Sequence, residues 1–575
     1  MLGIRFNNEN RQTIKNDCIF EIKQGSTCEI DLTTGGHWYG HGFAHRQPYP
    51  LEQEAIKAER FAVNNIQAPI WLASNGYALL CETNDTLAVS LENGKLKISP
   101  LYTSAKFLIF TGKDLPEAHK KLMRHLGWPA PSPNPAMLGD SLFCTWTQYP
   151  RAITQDRIIE TAKAIRKENY PVSTLIIDDR WESGFGELRF SNDFPDPVKM
   201  IRNLHEMNFK ILLWVTPFVN RGTANFEKLN KSGWLVPAKD GQGSALFTWW
   251  GGTAGLVDLT NPEARAWYKQ QLLYLKNELK VDGFKIDGGD AKYQPDRAIS
   301  AWHNFAGDSG YSDLLLGLFE EVAPNICESR TAWLSHKRQI IWREGGKDSH
   351  WGIDNGMTAM VTLGLHLSLM GYDLLIPDMI PGRMQTMVSS LPLPTDEFFV
   401  RWVEASAFMP VMQFSYFPWN YCSDVNDASR QYSIIHKLLE KYIHHSTANR
   451  TEPLIRPLWY NSPSRSELYT VADEFMLGAD LVIAPVLSEG KVTRDLHLPD
   501  GIWLDAWTGK LIEDSFIKDY PAPLPGVPLF VRASNAKLFE ILHKALQKIK
   551  RGSIKSAVCS ATWQCGLDRD IKVTG

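Results

Sequence analysis

Little in this sequence points to a charged partner. Its 61 Lys and Arg nearly balance 64 Asp and Glu, leaving a formal net charge of -3. Nothing electrostatic therefore draws it to nucleic acid or to an anionic membrane surface. There is no run of eighteen apolar residues, so no transmembrane segment is expected. The start, Met1-Leu2-Gly3-Ile4-Arg5-Phe6, alternates like a strand and carries no signal-peptide pattern. As written, the chain is expected in the cytoplasm, or in the secretory pathway if a leader precedes Met1. The eight Cys, at positions 18, 28, 81, 144, 327, 422, 559 and 565, show no short paired spacing, which argues against a zinc site or a redox centre. Most are expected as buried thiols, with Cys559 and Cys565 the pair to bond in an oxidising compartment. No Gly-rich dinucleotide fingerprint or phosphate loop follows the early strand-like segments. Nor is there a His/carboxylate ligand spacing, so neither cofactor nor metal is expected. Three N-x-S/T triplets, at Asn84, Asn230 and Asn449, are what chance supplies in a chain this long and do not decide the compartment.

What is present is an ordinary globular composition, 44% hydrophobic and 22% charged, in a chain of 575 residues that is too long for one core. Twenty Trp are the unusual feature, and they suit both large cores and the flat apolar faces of sugar-binding clefts. Residues 1–128 read as an antiparallel β-sandwich, from short alternating runs such as Cys18–Ile22 and Leu87–Leu91. Within them Gly35 to Gly42 packs aromatics and glycines into what reads as a loop, either leaning over a neighbouring cleft or making a turn-rich crossover. The Pro-rich segment Pro129–Pro135 marks a boundary. Residues 136–450 alternate strand-like and helix-like segments, as a (β/α)8 TIM barrel of the α/β class would, with strand candidates at Ser141–Trp146, Thr174–Asp178, Ile211–Val215, Gly283–Asp287, Ile340–Arg343, Leu374–Asp378 and Met409–Phe414. That is seven, with one strand missed. Residues 451–549 return to β patterns and end in an amphipathic helix near Phe539–Ile549, and 550–575 read as a disordered tail.

The functional signal stands at the strand ends. Val281, Phe284 and Ile286 form an apolar strand that stops at Asp287 before two glycines. Asp178 and Asp179, Arg343 and Glu344, and Asp378 close other strands, and Asp354 follows Trp351. A lone strand-end aspartate can simply cap the next element. Several such positions, with Trp and Arg beside them, describe a cleft at the barrel mouth. Carboxylates with aromatic platforms, and no His or Cys cluster, favour sugar chemistry over metal chemistry.

The residues then carry a resemblance. His37-Trp38-Tyr39-Gly40, Asp178-Asp179-Arg180-Trp181, Leu213-Trp214-Val215-Thr216-Pro217, Phe284-Lys285-Ile286-Asp287, Trp351-Gly352-Ile353-Asp354-Asn355 and Pro377-Asp378-Met379-Ile380, in this order, resemble glycoside hydrolase family 31, the retaining α-glycosidases, and most closely its myogenesis-regulating glycosidase branch. The resemblance implies an exo-acting enzyme in which Asp287 is the nucleophile and Asp354 the general acid/base. Retention needs these two carboxyls about 5 to 5.5 Å apart across the sugar. It further implies that Asp178, Asp179, Trp181, Trp214, Lys285, Arg343, Trp351, Asp378 and Ser415 surround a carbohydrate substrate, with Trp249 a further candidate. Arg343 would keep Asp287 ionised and bond a sugar hydroxyl, or else form a structural pair with Asp290 or Glu344. Ser415 stands where the wider family has a substrate-binding His, which puts glucose specificity in doubt. A terminal α-galactoside is the expected substrate, an α-glucoside or α-xyloside the alternative, and a catalytically silent glycan binder on the same fold the reading from another class.

Overall fold

A computed structural model of the chain describes residues 2–554 except 8–9, 33–34, 45, 62–64, 130–134, 151, 239–241, 294–306, 383–392 and 449. The expected Cys559–Cys565 pair, most of the tail, the middle of the Pro-rich segment and Asn449 lie outside the described residues. At the centre is a parallel sheet of eight strands: β1 (Leu142–Cys144), β2 (Thr174–Ile177), β3 (Lys210–Val215), β4 (Gly283–Ile286), β5 (Cys327–Ser329), β6 (Ile341–Arg343), β7 (Leu375–Ile376) and β8 (Gln413–Phe414). They pair in the order β7-β6-β5-β4-β3-β2-β1-β8. The ring closes through the segment just past β7, where Ile380 bridges Phe414 and its N–H donates to the Gln413 carbonyl at 2.8 Å. Nearly every strand residue is buried, as expected when helices cover the outside and side chains fill the inside of a barrel.

The helices that follow the strands start where the sequence caps them. Thr154 accepts from the Arg157 N–H before α1 (Gln155–Lys167), and Asp196, with Pro at the first helical position, does the same for α2 (Pro197–Glu206). Asn261 caps α3 (Pro262–Asn277) in the same way. Further outer helices are α4 (Gly307–Val322), α5 (Met357–Leu369), α6 (Asp396–Ser406) and α7 (Ser423–Thr447). α5 is buried along its whole length, because further β-structure lies outside it: Gly40 donates to His366 Nδ1 and Pro48 accepts at its Nε2.

Two antiparallel sheets of six and five strands face one another in the N-terminal region, over a core that includes Ile30, Trp38, Trp71, Leu79 and Phe107. From Trp38 onward the Gly35–Gly42 segment is not the loop its composition suggests. Trp38–Gly42 is a buried edge strand paired with Gln67–Ala73, and Tyr39 packs on Tyr49 and Trp459, away from the barrel mouth. Gly40 must be glycine, since its φ is +96° and a Cβ would sit 2.4 Å from the Ile70 carbonyl. Beyond the barrel a six-stranded and a two-stranded antiparallel sheet follow, and the last helix begins at Ala536, where Asn535 caps it, three residues ahead of the expected start. Among the described residues no helix is long and apolar enough to cross a membrane.

Candidate active site

The C-terminal ends of β1 to β7 surround a cavity of about 530 Å³, within the usual range for small-ligand sites. Asp178, Trp214, Lys285, Asp287 and Arg343 all line it. A larger hollow of about 1080 Å³ lies at the opposite end of the barrel, around Lys210 and Asp282, and is lined by no Phe, Tyr or Trp. Chemistry in this fold sits at the C-terminal end, and the smaller cavity is the one with convergent carboxylates and aromatics.

Asp287 leaves β4 with its N–H on the Val215 carbonyl at 2.9 Å, which fixes the backbone. Its Oδ2 accepts from Trp214 Nε1 at 2.9 Å, and its Oδ1 accepts from Gly288 N–H at 2.9 Å and from Arg330 Nε. Burial alone would push this carboxyl up. Arg330 and Arg343 beside it, with the Trp214 bond, more than offset that and hold it at about 2. Asp287 is thus an ionised carboxylate at any ordinary pH.

Below it runs a chain of alternating charge. Lys285 Nζ lies 2.7 Å from Asp178 Oδ2 and 3.8 Å from Glu328 Oε1, Arg343 Nε lies 3.2 Å from the same Glu328 oxygen, and Arg343 Nη1 lies 3.6 Å from Asp378 Oδ1. All five side chains are buried. Gln413 donates to Glu328 Oε2 at 2.7 Å, and Cys144 donates its thiol to Asp178 Oδ2 at 2.9 Å. Burial would lower the Lys285 ammonium, but Asp178 foremost among its neighbours holds it above its ordinary value. Charges this deep are tolerated only when paired, so the row presents fixed donors and acceptors to the cavity. Arg343 takes Glu328 and Asp378 as its partners, together with the Glu344 backbone carbonyl, rather than either carboxylate expected for a structural pair.

One wall is aromatic. The Trp214 and Trp249 rings lie 6.3 Å apart and 2° from parallel, with Phe185 edge-on to both. Trp250, 37% exposed, closes the outer end. The loop carrying Phe185 hangs on Glu182, whose Oε2 accepts from the Gly186 and Leu188 N–H groups at 2.9 Å each. Burial pushes Glu182 up to about 7. A carboxyl raised in the folded state gives stability that is full below its unfolded value and lost as pH climbs through the folded one. Glu182→Gln is therefore expected to match the parent at pH 5 and to exceed it by about 2–3 kcal/mol above pH 8, read as the unfolding midpoint at the two pH values. Equal midpoints at high pH would show that Glu182 stays ionised without cost.

Not every expected residue reaches the cavity. Trp181 is fully buried and donates to the Trp214 carbonyl, so it supports the wall from behind. Trp351 stands edge-on to Phe398 and does not line the cavity. Asp378 sits one layer out, accepting from the Lys347 N–H at 2.6 Å while pairing with Arg343. Ser415 is fully buried, with its hydroxyl taken by the Thr147 N–H at 2.8 Å. Asp179 turns its N–H onto Asp178 Oδ1 and lies behind the lining; burial, then Asp178, pushes it up to about 7. Asp354 is 52% exposed in the turn before α5, its Oδ1 3.9 Å from His350 Nδ1. Asn355 next to it does line the cavity, and holds that turn by donating to the Gly346 carbonyl at 2.9 Å.

Several lining residues went unread in the sequence. Arg330 follows β5, the strand absent from the seven candidates: Cys327-Glu328-Ser329 is three residues long with a charge in the middle and has no apolar run to mark it. Phe43 and Asn65 come from the N-terminal region, and no local pattern announces a residue that reaches another domain's cleft.

The glycosyl hydrolases family 31 TIM-barrel domain matches residues 131–445, the family's C-terminal domain matches 451–536, and the myogenesis-regulating glycosidase N-terminal domain matches 22–103. Mouse myogenesis-regulating glycosidase is 29% identical over 540 residues, covering 87% of this chain and 75% of its own. An α-xylosidase of Saccharolobus solfataricus is 23% identical over 92% of this chain and 72% of its own. A solved family 31 α-xylosidase from a soil metagenome, complexed with xylose, superposes with a TM-score of 0.76 at 20% identity, covering 92% of this chain and 81% of that one. With the barrel domain alone spanning more than half of its length, the chain belongs to glycoside hydrolase family 31 and is an enzyme of that class.

Proposed function

We propose that this enzyme is a retaining exo-α-glycosidase that removes a terminal α-linked sugar, a galactose by preference, with Asp287 as nucleophile and Asp354 as general acid/base. The observation that carries the reading is Asp287 itself, a carboxylate on the cavity wall, held ionised at about 2 by Arg330 and Arg343 and oriented by Trp214. Breaking an acetal with retention asks for such a group on one face of the anomeric carbon and a protonated carboxyl toward the leaving oxygen. Asp287 forms the glycosyl ester while Asp354 gives its proton to the departing alcohol; Asp354 then takes a proton from water, which attacks the ester and frees Asp287. The half-exposed setting of Asp354 suits a group that meets the aglycone and then solvent. Asp178, Lys285 and Arg343 offer bonds to the sugar's hydroxyls, and Trp214 an apolar face.

Galactose is favoured because the branch this chain resembles is associated with α-galactosides. In addition, the position where the wider family has a substrate-binding His carries Ser415, whose hydroxyl is already used. A pocket that bonds one epimer's hydroxyl rejects the other strongly. The substrate is read as a carbohydrate at the end of an oligosaccharide or glycoconjugate. The division of labour assigned to residues 1–128, 136–450 and 451–549, with the barrel catalytic and the flanking parts supporting it, belongs to the same proposal.

Matched aryl α-galactoside, α-glucoside and α-xyloside substrates test the glycone, and a preference for glucoside would overturn the galactose assignment. For Asp354 the leaving group is the probe. Asp354→Ala is expected to slow an alkyl galactoside by about 10²–10⁴-fold and a nitrophenyl galactoside far less, because a stable phenolate needs little protonation to leave. Equal losses on both substrates would remove Asp354 from the acid role.

A further inference from the structure

Six of the seven connections between successive barrel strands carry a helix, and the seventh does not. From β5 to β6 the chain runs from Arg330 to Ile340 without one. The N-terminal sandwich takes that place. Trp333 is buried in the sandwich core and donates through Nε1 to the Thr83 carbonyl at 2.8 Å, and Ile66 bridges Ala332 in parallel. One residue before Ile66, Asn65 lines the barrel cavity. Its Oδ1 accepts from Arg330 Nη1 at 3.3 Å, and its N–H donates to Asp290 Oδ2 at 3.3 Å. Arg330 in turn donates through Nε to Asp287. On the far side the loop after β6 passes at Gly345, where a Cβ would lie 2.7 Å from Asn65 Nδ2.

We propose that Asn65 is a positioning residue of the active site, through which the N-terminal sandwich sets how Arg330 grips Asp287. A guanidinium is a rigid planar fork, and anchoring it at Nε and Nη1 leaves it one orientation. Without Asn65 the fork keeps Asp287 and Tyr293 as partners and is freer to swing over the carboxylate or turn toward Asp290, which also attracts it. The Asn65 N–H on Asp290 reduces that competition. Both Asp287 oxygens already carry donors, so the direction of Arg330 decides how freely a lone pair meets the anomeric carbon. The inference rests on Asp287 being the nucleophile.

The test is the rate at which a mechanism-based glycosyl epoxide labels Asp287 in the full chain, followed against pH. Asn65→Ala removes the side-chain anchor, and at φ +48° it also strains the backbone that bonds Asp290. It is expected to slow labelling by about 10- to 100-fold and to move the acidic limb of the rate profile upward, because a loosened Arg330 stabilises the carboxylate less. The charged and titratable groups facing Asp287 are Arg330, Arg343, Asp290, Asp179 and Tyr293, and the Asn65 side chain bonds Arg330 among them. Gly345→Ala, which crowds Asn65 without touching Asp287, is expected to reproduce both effects and provides a second route if Asn65→Ala folds poorly. In an Arg330→Lys background, which keeps the charge and loses the fork, Asn65→Ala should add no further loss. Additive losses, or an unmoved limb in both single variants, would overturn the inference while labelled Asp287 still stood. No label on Asp287 in the parent chain would instead remove the nucleophile assignment, and this inference with it.

Discussion

Asp287→Ala is expected to lower kcat/KM by about 10⁴-fold or more, the largest effect of any single change in this protein. The carboxylate is the group that Arg330, Arg343, Trp214 and Gly288 converge on. Removing it takes away the covalent route, and the two guanidiniums left behind repel the positive charge that develops at the anomeric carbon. KM is expected to move far less than kcat, because Asp178, Lys285 and Arg343 remain to bind hydroxyls. Azide should enter the space left by the carboxylate and restore turnover of an activated α-galactoside, giving a β-galactosyl azide. Parent-like turnover in the variant would end the assignment. A lost activity that azide cannot rescue, in a chain with a normal unfolding midpoint, would shift attention from nucleophile to electrostatic support.

The second large effect is on the buried charge row. Lys285→Met keeps the length and apolar bulk of the side chain in a place already bordered by the Cys144 and Met379 sulfurs, each 3.3 Å from Nζ. It leaves Asp178 without its cation in a setting where its side chain is only 4% exposed. Removing one partner of a buried pair costs about 3–5 kcal/mol, most of it the uncompensated charge that stays behind. The denaturant midpoint of the barrel should fall accordingly. Sugar affinity should fall with it, since the cavity loses the Lys285 ammonium as a donor to the substrate's hydroxyls. The control is Asp178→Asn in the Lys285→Met background, which removes the stranded charge and should recover much of the stability without recovering activity. A Lys285→Met midpoint equal to the parent's would mean that Asp178 draws its compensation from elsewhere.

The sandwich and barrel classes, the strand ends and the family were legible in the chain because they are local. An apolar run that stops at Asp287, or at Asp178, reports on its own backbone and on the face it buries. The helix starts at Thr154, Asp196 and Asn261 rest on equally local bonds, since a cap bonds residues two or three positions away. β5 was not, because its central Glu328 is paired through Lys285 and Arg343, partners 43 residues before it and 15 after it. A charge whose burial is justified only by distant charges looks like a surface residue until the barrel closes.

Orientation was equally out of reach. Trp181 and Trp214 share the same composition signal, yet one faces the core and the other the cavity, a matter of which side of the barrel wall each side chain leaves. Trp38–Gly42 reads as a glycine-rich loop and folds as a strand, because its glycines accommodate the Ile70 backbone rather than a turn. The sequence by itself determined that this chain builds a barrel with carboxylates at its mouth, through periodicity and residue type. Only the tertiary structure decided that Arg330 bonds Asp287, 43 positions away, and that Asn65 bonds Arg330, 265 positions away, because the first contact exists once the barrel has closed and the second once the sandwich has docked on it.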